Sequence, residues 1–311
     1  MGLDVLTMGR VGVDIYPRQS GVPLADVTTF AKYLGGSPTN VAVAAARYGR
    51  AAAVITKTGA DPFGTFVRSA LTGYGVDTAH VGVSKGLPTP VTFCEIFPPD
   101  DFPLYFYRFP KAPDLDISVG ELDLDAIGSA AVFWMTGTGL CEEPSRSATL
   151  AALRARARRP HTVFDLDWRP VFWDAPPQPW YEEALKYATV AVGNVEECEV
   201  ATGTRDPYEA ARRLLAADVE LAVVKQGPRG VLAVHRDGTT VEQPPVPVEV
   251  VNGLGAGDAF GGALVHGLLA GWDLDRTMAF AAAAGAHVAA RLACSDAMPT
   301  EAEVEKLRAA R

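Results

Sequence analysis

Along the chain, short apolar runs alternate with longer segments in which apolar residues return every three or four positions. The first kind reads as buried strand and the second as helix. "LDVLTMG" is such a run, ending at Gly9. "SPTNVAVAAARYG" follows as a helix, with Ser37 placed to cap it, Pro38 suited to its first turn and Gly49 to close it. "AAAVITKTG" reads as a strand, and "DPFGTFVRSALTGYG" as a helix that starts at Asp-Pro and stops at Gly75. Strand followed by helix, repeated, predicts a doubly wound, mainly parallel α/β sheet with helices on both faces.

The rhythm breaks over residues 89–112. "TPVTFCEIF" and "LYFYRF" read as strands joined by "PPDDFP", outside any strand–helix unit. A small β lid is expected there, built from parts of 10–35 and 89–112 of one domain that spans 1–311. The alternation then resumes. "AAVFWMTG", "HTVFDLD", "TVAVGN" and "ELAVVKQG" are strands. Helices are expected over 143–158, "WYEEALKYA", "VEECEVATG" and "DPYEAARRLLAAD". "GVLAVHRDGTTVEQ" is a hairpin turning at Asp237 and Gly238. "PPVPVEVV" then leads into a glycine-rich loop, and helices over 256–270, 275–292 and 300–311 follow.

That loop, "VNGLGAGDAFGGAL", surrounds one carboxylate, Asp258, where a helix begins. The first turn of a helix has N–H groups without partners and the positive end of the macrodipole. Gly255, Ala256 and Gly257 present little side chain, so an anion can approach those N–H groups closely. A carboxylate beside that anion would repel it unless it had a task, and accepting a proton from an attacking hydroxyl is such a task. The bland alternative is a turn with Asp258 as a capping residue. No GxxxxGK[ST] loop is present, and "GRVGVD" after the first strand lacks the GxGxxG spacing of dinucleotide folds.

Composition narrows the reading. The net charge is -9, which disfavours nucleic acid and anionic membrane as partners while leaving room for a local basic pocket. Cys94, Cys141, Cys198 and Cys294 are far apart, with no CxxC or HExxH, which points to reduced thiols in a cytoplasmic protein. Neither a secretory leader nor a run of 18 apolar residues is visible, so no membrane span is expected.

Several segments together resemble the ribokinase, or PfkB, family of carbohydrate kinases. They are "YLGGSPTNVAVAAARYG", "GADPFG", "NVEE", "VKQGPRG" and "GLGAGDAFGGAL", in the family's order from Gly35 to about Gly262. Within the family, "GRVGVDIYPRQSGVPL" and "FDLDWRP" bring the chain nearest to kinases of keto-deoxy sugar acids. The resemblance implies a ribokinase-like fold with a β lid, and a homodimer formed through that lid. It implies ATP and Mg²⁺ as cofactors.

By family position, Asp258 is the catalytic base, and Gly255, Ala256 and Gly257 form the anion hole. Asn194 and Glu197 organise Mg²⁺ through water, with Asn194, Lys225, Gly227 and Gly230 along the nucleotide. Asp14, Gly35, Gly36 and Asn40 bind sugar hydroxyls. Arg108 on the lid and Arg169 in "DLDWRP" are candidates for a substrate carboxylate, because the planar guanidinium meets two oxygens at once. Each has a plainer reading: a surface ion pair for either arginine, a snorkelling lysine for Lys225, a solvated helix-start acid for Glu197.

Two departures stand out. Many members carry Asp-Thr where this chain has Asn252 and Gly253, and that aspartate helps to bind an activating monovalent cation; uncharged Asn252 predicts little response to potassium. Many also place Asn near Ala282, beside the adenine. The rival readings are another sugar specificity, such as 2-keto-3-deoxygluconate or fructose, and a non-catalytic sugar sensor on the same fold, against which Asp258 and the N-x-x-E motif argue.

Overall fold

The computed structural model describes residues 2–310. Among the described residues thirteen strands are formed: β1 (Val5–Met8), β2 (Gly12–Pro17), β3 (Phe30–Gly35), β4 (Ala52–Gly59), β5 (Val81–Ser84), β6 (Val91–Cys94), β7 (Leu104–Tyr107), β8 (Val132–Thr136), β9 (Thr162–Asp165), β10 (Val190–Asn194), β11 (Leu221–Lys225), β12 (Val231–His235) and β13 (Thr240–Gln243). Nine of them make one sheet in the order β13-β12-β11-β10-β9-β8-β1-β4-β5, parallel except for the last hairpin, β12 and β13. The other four make a second sheet, β3-β2-β6-β7.

Alternate residues of the large sheet feed two cores. Val5, Val132 and Trp134 face one, together with Val41, Ala263 and Met278 from helices on that side. Leu6, Met8 and Phe133 face the other, with Leu153, Tyr181 and Leu214. Burial on both faces explains the near-continuous apolar strands. The helices Ser37–Arg47 and Ala256–Ala270 pack closely because Gly262 lacks a side chain. A Cβ there would lie 2.3 Å from that of Ala44.

Winding runs from β1 to β4 and β5 in one direction and from β8 to β11 in the other. The reversal between β1 and β8 opens a crevice at the C-terminal strand ends, where such sheets bind ligands. The lid hangs over it. β2 pairs antiparallel with β3 and parallel with β6, and β6 pairs antiparallel with β7.

Most expected elements are present, and the last two helices end near their expected bounds, at Leu274–Ala289 and Glu301–Ala309. The expected final residue, Arg311, lies outside the described residues. Strand β5 and the short helix Leu124–Ser129 are additions. Asp61 caps its helix as its Asp-Pro start implied, accepting from the Gly64 N–H at 2.7 Å. Ser37 is not the cap of its helix. Gly36 takes that place at φ 108°, and Ser37 is the first helical residue, with its hydroxyl committed elsewhere. Among the described residues, no helix is long and apolar enough to cross a membrane.

Candidate active site

A cleft of about 260 Å³ lies between the C-terminal strand ends and the lid. Asp258, Gly255 and Gly257 line it from the glycine loop, Ser37 and Asn40 from the helix Ser37–Arg47 with Gly36 just before it, and Asp14 and Thr92 from the lid. The strand ends supply Arg10, Asp165, Asn194 and Lys225.

Asp258 is the third residue of the helix Ala256–Ala270. Its two oxygens have separate donors. Ser37 Oγ donates to Oδ1 and Asn40 Nδ2 to Oδ2, each at 2.7 Å. Asn40 is itself fixed, because its Oδ1 accepts from Ser295 Oγ at 2.6 Å. Burial raises the Asp258 pKa above the carboxylate range, and the two hydrogen bonds pull it back. The result is a held carboxylate with a proton affinity above that of a free one, as a general base requires.

Gly255 sits before this helix at φ 80°, a left-handed backbone that favours glycine, and a Cβ there would strike Cys294 Sγ at 2.7 Å. Among the described residues, the N–H groups of Gly257 and Asp258 have no hydrogen-bond partner. They are free donors at the positive end of the dipole. Lys225 Nζ stands 3.3 Å from where a Gly257 Cβ would be. Burial alone would lower its pKa, but Asp165, Glu197, Asp258 and Asp167 hold the ammonium above its ordinary range.

A second, open groove joins the cleft. Asn194 and Lys225 line both, and Gly227, Gln226 and Arg229 continue the groove outward. Asn194 and Glu197 form a reciprocal cap: the Glu197 N–H donates to Asn194 Oδ1 at 2.9 Å, and the Asn194 N–H to Glu197 Oε2 at 2.6 Å. Glu197 is buried while Glu196 is exposed, so the solvated reading fails for Glu197. Burial raises its pKa. Among the described residues, no three His, Cys, Asp or Glu side chains are arranged to hold a metal by themselves. This donor set suits Mg²⁺, which keeps several waters and is bound largely through substrate phosphates and one or two carboxylates.

At the lid, Tyr16 Oη donates to Asp14 Oδ2 at 3.1 Å. Burial raises the Asp14 pKa to about 6, against the pull of Arg10 and Tyr16. Gly35 makes room for this carboxylate, since a Cβ there would lie 2.2 Å from Asp14 Oδ1.

Of the expected residues, Asp258, Gly255, Gly257, Asp14, Gly36, Asn40, Arg169, Asn194, Glu197 and Lys225 line the cleft together. Ala256 lies between two of them, Gly35 stands behind Asp14, and Gly227 lines the outer groove. Gly230 turns the chain at φ 91° and lines neither. Arg108 does not reach the cleft. Its Nη2 is paired with Asp114 Oδ2 at 2.7 Å, and its side chain is only 8% exposed. Arg169 does line the cleft, 3.3 Å from Asp167. Sequence reading passed over Arg10, Ser37, Asp165 and Asp167. "GR" after the first strand and the acids of "DLDWRP" at the end of β9 were the available signals.

Uncharged Asn252 is wholly buried. Its Nδ2 donates to the Leu292 carbonyl at 2.7 Å and its Oδ1 accepts from the Leu254 N–H at 3.0 Å.

The profile of the pfkB family carbohydrate kinases matches residues 3–301. The chain is 34% identical to a 5-dehydro-2-deoxygluconokinase of Clostridium tetani over 98% of its own length and 92% of the relative's. It is 35% identical to the corresponding protein of Clostridium beijerinckii, over 98% and 92%. Among solved structures, a fructokinase with bound ATP from Xylella fastidiosa superposes with a TM-score of 0.87 at 25% identity, covering 99% of this chain and 98% of that one. A PfkB protein of Polaromonas gives 0.85 at 24%, covering 98% and 99%. The fold is ribokinase-like, and the chain is a phosphotransferase acting on an alcohol group that belongs to the pfkB family of carbohydrate kinases.

Proposed function

We propose that the chain is an ATP-dependent kinase of the terminal (C6) hydroxyl of 5-dehydro-2-deoxy-D-gluconate, a step of myo-inositol breakdown. The observation that carries the chemistry is Asp258, held by Ser37 and Asn40 beside the free N–H groups of its own helix. The substrate class rests on the likeness to 5-dehydro-2-deoxygluconokinases over nearly the whole chain and on Arg10 and Arg169 in the cleft.

The sugar lies with its terminal hydroxyl at Asp258 and its other hydroxyls toward Asp14 and Asn40. Asp258 takes the hydroxyl proton as the oxygen attacks the γ-phosphorus. The bond from that phosphorus to the β–γ bridging oxygen breaks, and ADP leaves with the electron pair. The Ala256 N–H is committed to the Gly253 carbonyl at 3.4 Å, so the N–H groups of Gly257 and Asp258 and the Lys225 ammonium receive the charge on the transferred group. ATP lies along the groove at Asn194, Lys225 and Gly227, with Gly230 shaping the turn beyond. Glu197 and Asn194 would hold Mg²⁺ through its waters. When bound, that ion would supply neutralisation of phosphate charge. Arg169 contributes positive charge toward a carboxylate, while Arg108 stays paired with Asp114. ATP as co-substrate places the reaction in the cytoplasm.

The experiment is a ³¹P and ¹³C NMR analysis of the product made from 5-dehydro-2-deoxygluconate and MgATP. Phosphorus coupled to C6 supports the reading, and no phosphorylated product overturns it.

We also propose that a second copy of the chain covers the outer face of the lid, across 10–35 and 89–112. Phe30, Phe93 and Tyr107 form an edge-to-face stripe there, with ring centres 5.8 and 5.5 Å apart, and Tyr107 and Phe109 are 62% and 81% exposed. Such aromatic exposure suits a protein interface.

A further inference from the structure

Arg10 follows β1, at the point where the sheet reverses its winding, and lines the cleft beside Asp14, Thr92 and Phe106. The residue is 9% exposed. Its guanidinium carbon lies 5.5 Å from the Phe106 ring centre. Among the described residues its side chain makes no hydrogen bond and no ion pair, and its Nε is buried without a partner. A buried guanidinium left in that state is costly, so native structures pair it.

The acids around it are engaged elsewhere. Asp14 accepts from Tyr16, and Asp167 accepts from Thr138 Oγ1 at 3.2 Å while facing Arg169. Neighbouring Arg108 is neutralised by Asp114. Arg10 is therefore a cation of the cleft whose acceptor has to arrive with the ligand. Burial and the charges of Arg108 and Arg169 lower its proton affinity, while Asp167 and Asp14 act the other way. An incoming anion relieves the first group of effects.

Arg10, Asp14 and Asp258 all line the one cleft, and both other charges act on the Asp14 carboxyl. A sugar acid with its hydroxyl at Asp258 and middle hydroxyls at Asp14 has its acid end left for Arg10. A neutral ketose has no group to offer there.

We propose that Arg10 is the specificity-determining residue of this kinase, binding the substrate's carboxylate through its guanidinium. This rests on the sugar-acid reading of the site and makes it more specific. The planar fork matters, because an ammonium cannot reproduce two parallel N–H···O bonds.

The test compares kcat/KM for 5-dehydro-2-deoxygluconate and for fructose in the parent, Arg10→Gln and Arg10→Lys, with melting curves of all three. Removing one partner of a desolvated charge pair predicts a loss on the acid of about 30-fold to several thousandfold in Arg10→Gln, mainly through KM. The loss on fructose should be at least tenfold smaller. Arg10→Lys should fall between parent and Arg10→Gln on the acid, and it carries the test alone if Arg10→Gln does not fold. Equal losses on acid and neutral sugar, or an acid preference that survives both substitutions, would overturn the role of Arg10 and leave the sugar-acid reading standing. A parent protein that phosphorylates fructose and ignores the acid overturns both.

Discussion

Asn40 Nδ2 donates to Asp258 Oδ2 at 2.7 Å, joining two helices whose residues are 218 positions apart. With Ser37 on the other oxygen, it fixes both the direction and the basicity of the carboxylate. Asp258→Asn should leave ATP and sugar affinity nearly unchanged and lower kcat by about 10²–10⁴, the usual worth of a general base. Steady-state kinetics with both substrates varied measures this, and a kcat within threefold of the parent removes Asp258 from the role.

Asn40→Ala takes away one of the bonds that hold the Asp258 pKa down. A hydrogen bond to a charged group is worth enough to move the pKa upward by about one unit. The base must be ionised, so activity falls as pH falls through that pKa. The acid limb of the kcat/KM profile should therefore move to higher pH in Asn40→Ala. A limb that stays in place, with only a uniform loss of rate, points to sugar binding alone.

Asp14 is a carboxyl whose folded pKa, about 6, lies above its ordinary value because of burial. The folded state thus binds more protons than the unfolded one between about pH 4 and 6. Its contribution to stability is present below that window and lost as pH rises through 6. Asp14→Asn should raise stability at pH 7.5 by about 1–3 kcal/mol, since one pKa unit is worth about 1.4 kcal/mol. The gain should shrink toward pH 4. Urea unfolding at both pH values reads it, and an equal gain at both rules out titration of Asp14 as the cause.

The Asn252 amide is occupied on both sides by Leu292 and Leu254 and carries no charge. Activity should need Mg²⁺ or Mn²⁺ and change less than twofold when K⁺ replaces Na⁺. A tenfold rise on adding K⁺ contradicts this.

Tyr107, at the end of β7, and Phe109, just beyond it, are both exposed. Tyr107→Glu combined with Phe109→Glu should convert a dimer to a monomer in sedimentation velocity at micromolar protein. A parent that sediments as a monomer at all concentrations refutes the lid interface.

Much of the fold could be read from the chain because its strands are apolar throughout and its helices keep their period, with stops at Gly49 and Gly75 in left-handed turns. The glycine loop disclosed Asp258 and the free N–H groups beside it because both come from one contiguous stretch. Strands β2 and β3 left a weaker signal. They belong to the lid and pair antiparallel across 13 to 23 positions, from Pro17 with Phe30 to Gly12 with Gly35. Ser37 was misplaced as a cap because cap chemistry is local, whereas its actual acceptor, Asp258, is 221 positions away. Arg10, Asp165 and Asp167 became visible only when separate strand ends met at one crevice. Arg108 showed the opposite effect: Asp114, six residues along, satisfies it before any ligand does.

A coupled ADP-release assay over a panel of keto-deoxy sugar acids and neutral sugars tests the sugar-acid kinase most directly. The expected result is Mg²⁺-dependent ADP release with the highest kcat/KM for 5-dehydro-2-deoxygluconate, at least tenfold above fructose, and loss of that release in Asp258→Asn. A higher kcat/KM for fructose than for any acid would contradict the substrate class, and ADP release with no sugar on the panel above the rate without sugar would contradict the kinase itself.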